Sequence, residues 1–131
     1  MNRKEEIIWL AGWLEGEGSF QCTHELKADK MSVFKRFRIT ASSTDRDVAY
    51  KVFHLLNGRI YRNDSNKIRY GWKVKWIVEV NGKHAIGWMM TIYGLMGERR
   101  KAEIKDVINQ WKEYSSKLNP ALKYGTTLQK L

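Results

Sequence analysis

The sequence holds one cysteine, Cys22, and one proline, Pro120, in 131 residues. A single cysteine excludes an internal disulfide and a cysteine-rich zinc centre, and it points to a reducing, intracellular setting. The three histidines, His24, His54 and His84, show no metal-ligand spacing with one another or with Cys22, so soft-ligand metal chemistry has no foothold. The most apolar stretch, Ile7 to Leu14, is too short to span a bilayer. The Arg3-Lys4-Glu5-Glu6 run before it is not a secretory pattern. Acids are scarce too: 14 Asp and Glu face 24 Lys and Arg, for a net charge of +10.

What is present supports one folded domain over 1–131, with a core over about 5–115 and a basic tail over 117–131. An apolar content of 43% with 12% aromatics argues against disorder. A chain of this length buries roughly two-thirds of its unfolded surface. The charge makes nucleic acid the first partner to consider and an anionic membrane the second. Its distribution favours the first. Residues 1–18 carry two basic and four acidic residues, residues 19–80 thirteen and six, and residues 81–131 nine and four. The excess lies on segments that read as strands rather than on one amphipathic helix, which speaks against a membrane-surface module.

The periodicities predict an order α-β-β-α-β-β-α-α. Residues 4–17 read as a helix apolar nearly all round, hence buried on every side. In a chain this small, a second copy is one way to bury the outer side. Strands are expected at 19–26 and 33–43, joined through Ala28-Asp29-Lys30; Phe37, Ile39 and Ala41 alternate there with Arg36, Arg38, Thr40 and Ser42. A helix over about 46–56 follows, N-capped by Thr44 or Asp45 and stopped at Asn57-Gly58. Strands at 59–63 and 68–80 flank Asp64-Ser65-Asn66, and helices start at Asn81-Gly82 and at Gly97. The apolar parity of the strands, with Phe37, Ile39, Trp72, Val74 and Trp76, is the face that helices must cover.

The stretch Leu10 to Gly18, LAGWLEGEG, carries unusual costs. Gly12 and Gly16 each cost roughly 1 kcal/mol inside a helix relative to alanine, a cost that close approach of another helix backbone would offset. Glu15 and Glu17 sit in the last turn, where the helix dipole disfavours anions by roughly 0.3–1 kcal/mol each. A divalent cation at the helix end would reverse that penalty, being drawn by carboxylate and by free carbonyls alike. The plain alternative is a solvated acidic helix end with a glycine stop.

LAGWLEGEGSF resembles the LAGLIDADG signature of homing endonucleases. Leu10, Ala11, Gly12, Leu14 and Gly18 match or substitute conservatively, Glu15 and Glu17 stand for the two aspartates, and Trp13 is bulkier than the usual aliphatic residue. One motif in the chain implies the homodimeric branch. The implied architecture is α+β, αββαββα(α), with a saddle-shaped antiparallel sheet, helices on one face, and two motif helices packed together through Trp9, Gly12, Trp13 and Gly16.

The resemblance further implies a site-specific, Mg²⁺-dependent DNA endonuclease, with Mn²⁺ or Ca²⁺ as possible substitutes. Its target would be long and near-palindromic, cut across the minor groove to leave short 3′ overhangs. Glu17 is the implied metal ligand, the Gly16 carbonyl a second, and Glu15 a capping or packing residue. Ser42 and Arg46 fall near the basic or polar positions around the scissile phosphate, and Arg99, Arg100 and Lys101, with Arg100 as the chosen candidate, near the place where a basic residue enters from the helical side; a solvated basic helix start is the plain alternative. The implied partners are double-stranded DNA and a second copy of the chain, with no membrane and no small-molecule cofactor. The polar strand parity supplies DNA-reading candidates: Gln21, Thr23, Glu25 and Lys27; Arg36, Arg38, Thr40 and Ser42; Tyr61 and Asn63; and Arg69, Lys73 and Lys75. Arginine suits guanine, glutamine and asparagine suit adenine, and lysine more often takes phosphate. A non-cleaving relative of the same fold, an intron maturase or a repressor, is the alternative function.

Overall fold

The computed structural model describes residues 1–26, 28, 33–63 and 74–118. The chain runs α1 (Arg3–Glu17), β1 (Gly18–Leu26), β2 (Val33–Ser43), α2 (Arg46–Leu56), β3 (Arg59–Asn63), β4 (Lys75–Asn81), α3 (Gly82–Ile92), a 3₁₀ turn (Tyr93–Leu95) and α4 (Glu98–Leu118). The expected α+β order is present, with the 3₁₀ turn added between the last two helices. The fourth strand is described only from Lys75, and its expected start lies outside the described residues. Lys117 belongs to α4, and residues 119–131 also lie outside them.

Local chemistry explains the boundaries. Asn2 caps α1, its side-chain oxygen accepting the Glu5 N–H at 2.9 Å. The acids Glu5 and Glu6 suit the positive end of the helix dipole. At the other end helix passes into strand without a loop. Gly18 donates its N–H to the Leu14 carbonyl, and a Cβ at position 18 would lie 2.7 Å from that oxygen. Only glycine fits so sharp a junction. Asn57 stops α2 in the left-handed conformation. The equally abrupt passage from β4 to α3 turns on Gly82, whose φ is +67°. Asp45 holds the N-cap position of α2, but its side chain makes no capping hydrogen bond; the Ser43 hydroxyl accepts the Asp45 N–H instead, at 3.0 Å.

The four strands form one antiparallel sheet in the order β1-β2-β4-β3. The β3–β4 pair is thus docked with β4 against β2, leaving β1 and β3 as edges. Phe20, Phe37, Ile39, Ala41, Val78 and Val80 are buried on one face. They join Leu10, Ala11 and Leu14 of α1, Ala49, Val52 and Leu56 of α2, five residues of α3, and Ile104 and Val107 of α4 in one apolar cluster. Full burial of such a side chain contributes roughly 1.5–3 kcal/mol. His84 Nε2 and Trp88 Nε1 donate to the Leu56 carbonyl at 2.7 and 3.1 Å. They satisfy the open end of α2 and bind α3 to it. Among the described residues no helix is long and apolar enough to cross a membrane.

Candidate active site and nucleic-acid interface

The strand registers assemble the other face of the sheet. Ser19 pairs with Thr40, Thr40 with Glu79, and Glu79 with Arg59, making one row across all four strands. Ser42, Ile77 and Tyr61 make a shorter row beside it, and Gln21 pairs with Arg38. Because alternate residues point to opposite faces, these side chains share the face away from the core. The end of α1 meets this face at Glu17. A shallow depression of about 410 Å³ is lined by Glu17, Ser19, Gln21, Arg38, Thr40, Ala41, Ser42, Tyr61 and Ile77. A second, of about 450 Å³, runs from Glu17 past Trp9 and Trp13 to residues 42–45, Val48 and Lys75.

The two motif glutamates have different fates. Glu15 turns toward α4: its Oε1 accepts the Gly97 N–H at 2.5 Å, and its Oε2 lies 3.6 Å from Arg100 Nε. It caps the positive end of the long helix, where an anion is favoured. Glu17 is exposed and has no hydrogen bond or ion pair among the described residues. It is a spare carboxylate at a helix end, joined to hard carbonyl donors such as Gly16 O, a donor chemistry that fits Mg²⁺ or Ca²⁺. Among the described residues no three His, Cys, Asp or Glu side chains come together as a metal-binding group; of the two carboxylates in the last turn of α1, Glu15 is engaged by α4 and Glu17 is not.

Of the residues expected to act on DNA, Gln21, Arg38, Thr40, Ser42 and Tyr61 lie with Glu17 on the first depression and Lys75 on the second. Glu25 and Arg36 lie toward the far end of β1 and β2, within 3.8 Å of each other and both well exposed. The Thr23 hydroxyl is buried without a hydrogen-bond partner. Asn63 is exposed at the end of β3, in register with Lys75. Lys27, Arg69 and Lys73 lie outside the described residues.

The two expected basic catalytic residues line neither Glu17 depression. Arg46 opens α2, its guanidinium 4.8 Å from the Tyr50 ring centre and 5.4 Å from that of Trp76. Arg100, expected near the scissile phosphate, is only 9% exposed; it donates to the Glu15 carbonyl at 3.0 Å and to Glu103 at 2.9 Å. It fastens α4 to the end of the motif helix. Two residues of the face escaped the sequence reading, Glu79 and Arg59. The signal for Glu79 was an acid between the core residues Val78 and Val80, placing it on the polar parity among arginines.

On α1, Gly12 and Gly16 are exposed, and a Cβ at either would meet nothing within 4 Å. Ile8, one turn before Gly12, is half exposed. Ile8, Gly12 and Gly16 follow at four-residue spacing, a stripe opposite the buried Leu10, Ala11 and Leu14. Trp9 and Trp13 flank it, stacked at 6.5 Å, with the Lys51 ammonium over Trp9 at 3.8 Å. Cys22 is half-buried, and burial pushes its thiol above the ordinary range while Lys35 pulls the other way.

Residues 10–86 match the family model described as LAGLIDADG endonuclease. The chain belongs to the LAGLIDADG endonuclease family. Solved structures of LAGLIDADG homing endonucleases share its fold. The homing endonuclease I-CvuI, bound to the I-CreI target with Mg and with the DNA not cleaved, is 15% identical. Its TM-score is 0.71, over 90% of this chain and 73% of that one. The group I intron-encoded homing endonuclease I-CeuI, complexed with DNA, is 14% identical with a TM-score of 0.69, over 94% and 61%. The archaeal intron-encoded homing endonuclease I-Vdi141I, complexed with DNA, is 15% identical with a TM-score of 0.61, over 79% and 65%. At these identities the likeness speaks to the fold. A comparison with curated protein sequences finds no match.

Proposed function

We propose that this LAGLIDADG protein is a homodimeric, divalent-metal-dependent, site-specific endonuclease acting on a long near-palindromic DNA. The observation that carries this reading is Glu17: an unpartnered carboxylate at the end of the motif helix, at the margin of a polar sheet face, in a chain of charge +10.

Each subunit contributes one such carboxylate. The Ile8, Gly12 and Gly16 stripe supports a second motif helix packed on the first, which brings the two Glu17 side chains together about a two-fold axis. A two-fold dimer presents one reading surface twice, hence a near-palindromic target. Glu17 and the Gly16 carbonyl would hold Mg²⁺, with Mn²⁺ or Ca²⁺ as substitutes. A bound divalent ion supplies charge stabilisation at the scissile phosphate and lowers the pKa of a bound water.

The chain's own residues do the rest. Gln21, Arg38, Thr40, Ser42 and Tyr61 engage the duplex from the sheet face. Lys75 takes phosphate beside Glu17, and Arg46, laid against Tyr50 and Trp76, supplies a further cation near the second depression. Arg100 acts as a positioning residue, fixing the carbonyl two residues before Glu17.

The test is Mg²⁺-dependent cleavage of a randomised duplex library with sequencing of the cut ends. Cuts at one near-palindromic sequence, absent in chelator, are expected. Enrichment of bound DNA without cutting would move the function to a non-cleaving relative. Absence of both binding and cutting would overturn the reading.

A further inference from the structure

Glu79 is the most deeply buried acid among the described residues, its side chain 5% exposed, yet it points to the open face of the sheet rather than to the core. Strands on either side answer it. Arg38 of β2 donates from Nη1 to Oε1 at 3.0 Å, and Arg59 of β3 donates from Nη2 to Oε2 at 3.1 Å. One carboxylate therefore holds two guanidinium groups, one per oxygen. Burying a carboxylate is costly unless it is paired and hydrogen-bonded; here both oxygens are occupied.

The two arginines retain unused donors. A guanidinium has five N–H groups, and each gives one to Glu79. Arg38 is 25% and Arg59 69% exposed, and the Arg59 guanidinium lies 5.7 Å from the Tyr61 ring centre. The Arg38 Nε is buried without a partner, so what Arg38 has left to offer is its terminal amine edge. An arginine fork held at a fixed angle can give two parallel N–H groups to guanine O6 and N7, whereas a freely swinging one settles on phosphate.

We propose that Glu79 is a positioning residue for sequence readout, fixing Arg38 and Arg59 as guanine readers on the sheet face. The inference rests on the DNA-binding part of the proposed function. Its loss would not weaken attraction to DNA, since removing the acid raises the positive charge of the face.

The experiment is selection of bound duplexes from a randomised library by wild-type protein and by Glu79→Gln, with base preference read at each position. Salt dependence of binding to one fixed duplex is measured in parallel. Glu79→Gln should lose preference for guanine at particular positions by roughly tenfold, keep or raise its affinity for arbitrary DNA, and show a steeper salt dependence. Glu79→Asp should recover part of the preference.

Unchanged guanine preference in Glu79→Gln would overturn the inference while leaving the proposed function standing. Wild-type protein that selects no duplex would overturn both. If Glu79→Gln does not fold, Arg38→Lys and Arg59→Lys carry the test, since lysine keeps the charge but lacks the fork. Each should lose a guanine preference while still binding at low salt, and retention of the full preference by both would overturn the inference.

Discussion

Glu15 and Glu17 stand two residues apart at one helix end and live in different surroundings. Glu15 faces α4, caps it at Gly97 and lies beside Arg100. Glu17 faces the margin of the open sheet and has no partner among the described residues. Two residues along a helix turn a side chain through roughly 200°, enough to send one acid into the architecture and leave the other for chemistry. The comparison teaches that the satisfied acid is the structural one and the unsatisfied acid, costly at the negative end of a helix dipole, is the candidate for function.

The largest expected effect breaks the comparison on the functional side. Glu17→Gln should reduce Mg²⁺-dependent cleavage by more than about a hundredfold, since loss of even an outer partner of a metal site costs 10- to 100-fold. Thermal melting should stay within a degree or two of wild type. A loss of activity that tracked a loss of stability would make Glu17 structural like Glu15.

On the buried side of the same helix, Leu14 is fully enclosed. Leu14→Ala should cost about 2–5 kcal/mol in denaturant unfolding, the usual range for such a cavity. The opposite stripe should respond in the other sense. Gly12→Leu meets open space within the chain, so melting should not fall at protein concentrations where both wild type and variant are monomeric. Self-association followed by sedimentation should weaken by at least about tenfold, or about 1.4 kcal/mol.

Glu15→Ala removes the cap of α4 and should cost about 1–2 kcal/mol of stability, with cleavage retained below the melting transition. The smallest effect concerns Cys22. With its thiol pushed up by burial, alkylation should be slower than that of a free cysteine peptide at neutral pH, catching up only as pH rises past the ordinary thiol range.

Much of this arrangement was legible in the sequence because local chemistry writes it. The alternation of Phe37, Ile39 and Ala41 with Arg38, Thr40 and Ser42 sets the two faces of β2 without knowledge of its neighbours. Gly18 marks an abrupt helix–strand junction because a Cβ there would strike the Leu14 carbonyl, while Gly82 and Asn57 mark a junction and a helix stop through their left-handed backbone. What escaped was long-range. Arg100 reads locally as a basic helix start, and only the docking of α4 on α1, 85 residues apart in sequence, turns it into a buried clamp on the Glu15 carbonyl. Glu79 reads as one more polar strand residue; its partner Arg38 lies 41 residues away, across a strand order that no local pattern encodes. Arg46 was placed by its position at a helix start, but the rings of Tyr50 and Trp76 draw its side chain.

The most direct test of the central claim, one Glu17 from each of two copies acting on the two strands of one site, is the product of a mixed dimer. Wild-type and Glu17→Gln chains carrying different tags would be co-expressed, purified through both tags in turn, and given the selected duplex with Mg²⁺. The account predicts nicked DNA, cut on one strand only. Double-strand breaks at the wild-type rate would show that one Glu17 serves both strands or that Glu17 is not required, and would contradict it.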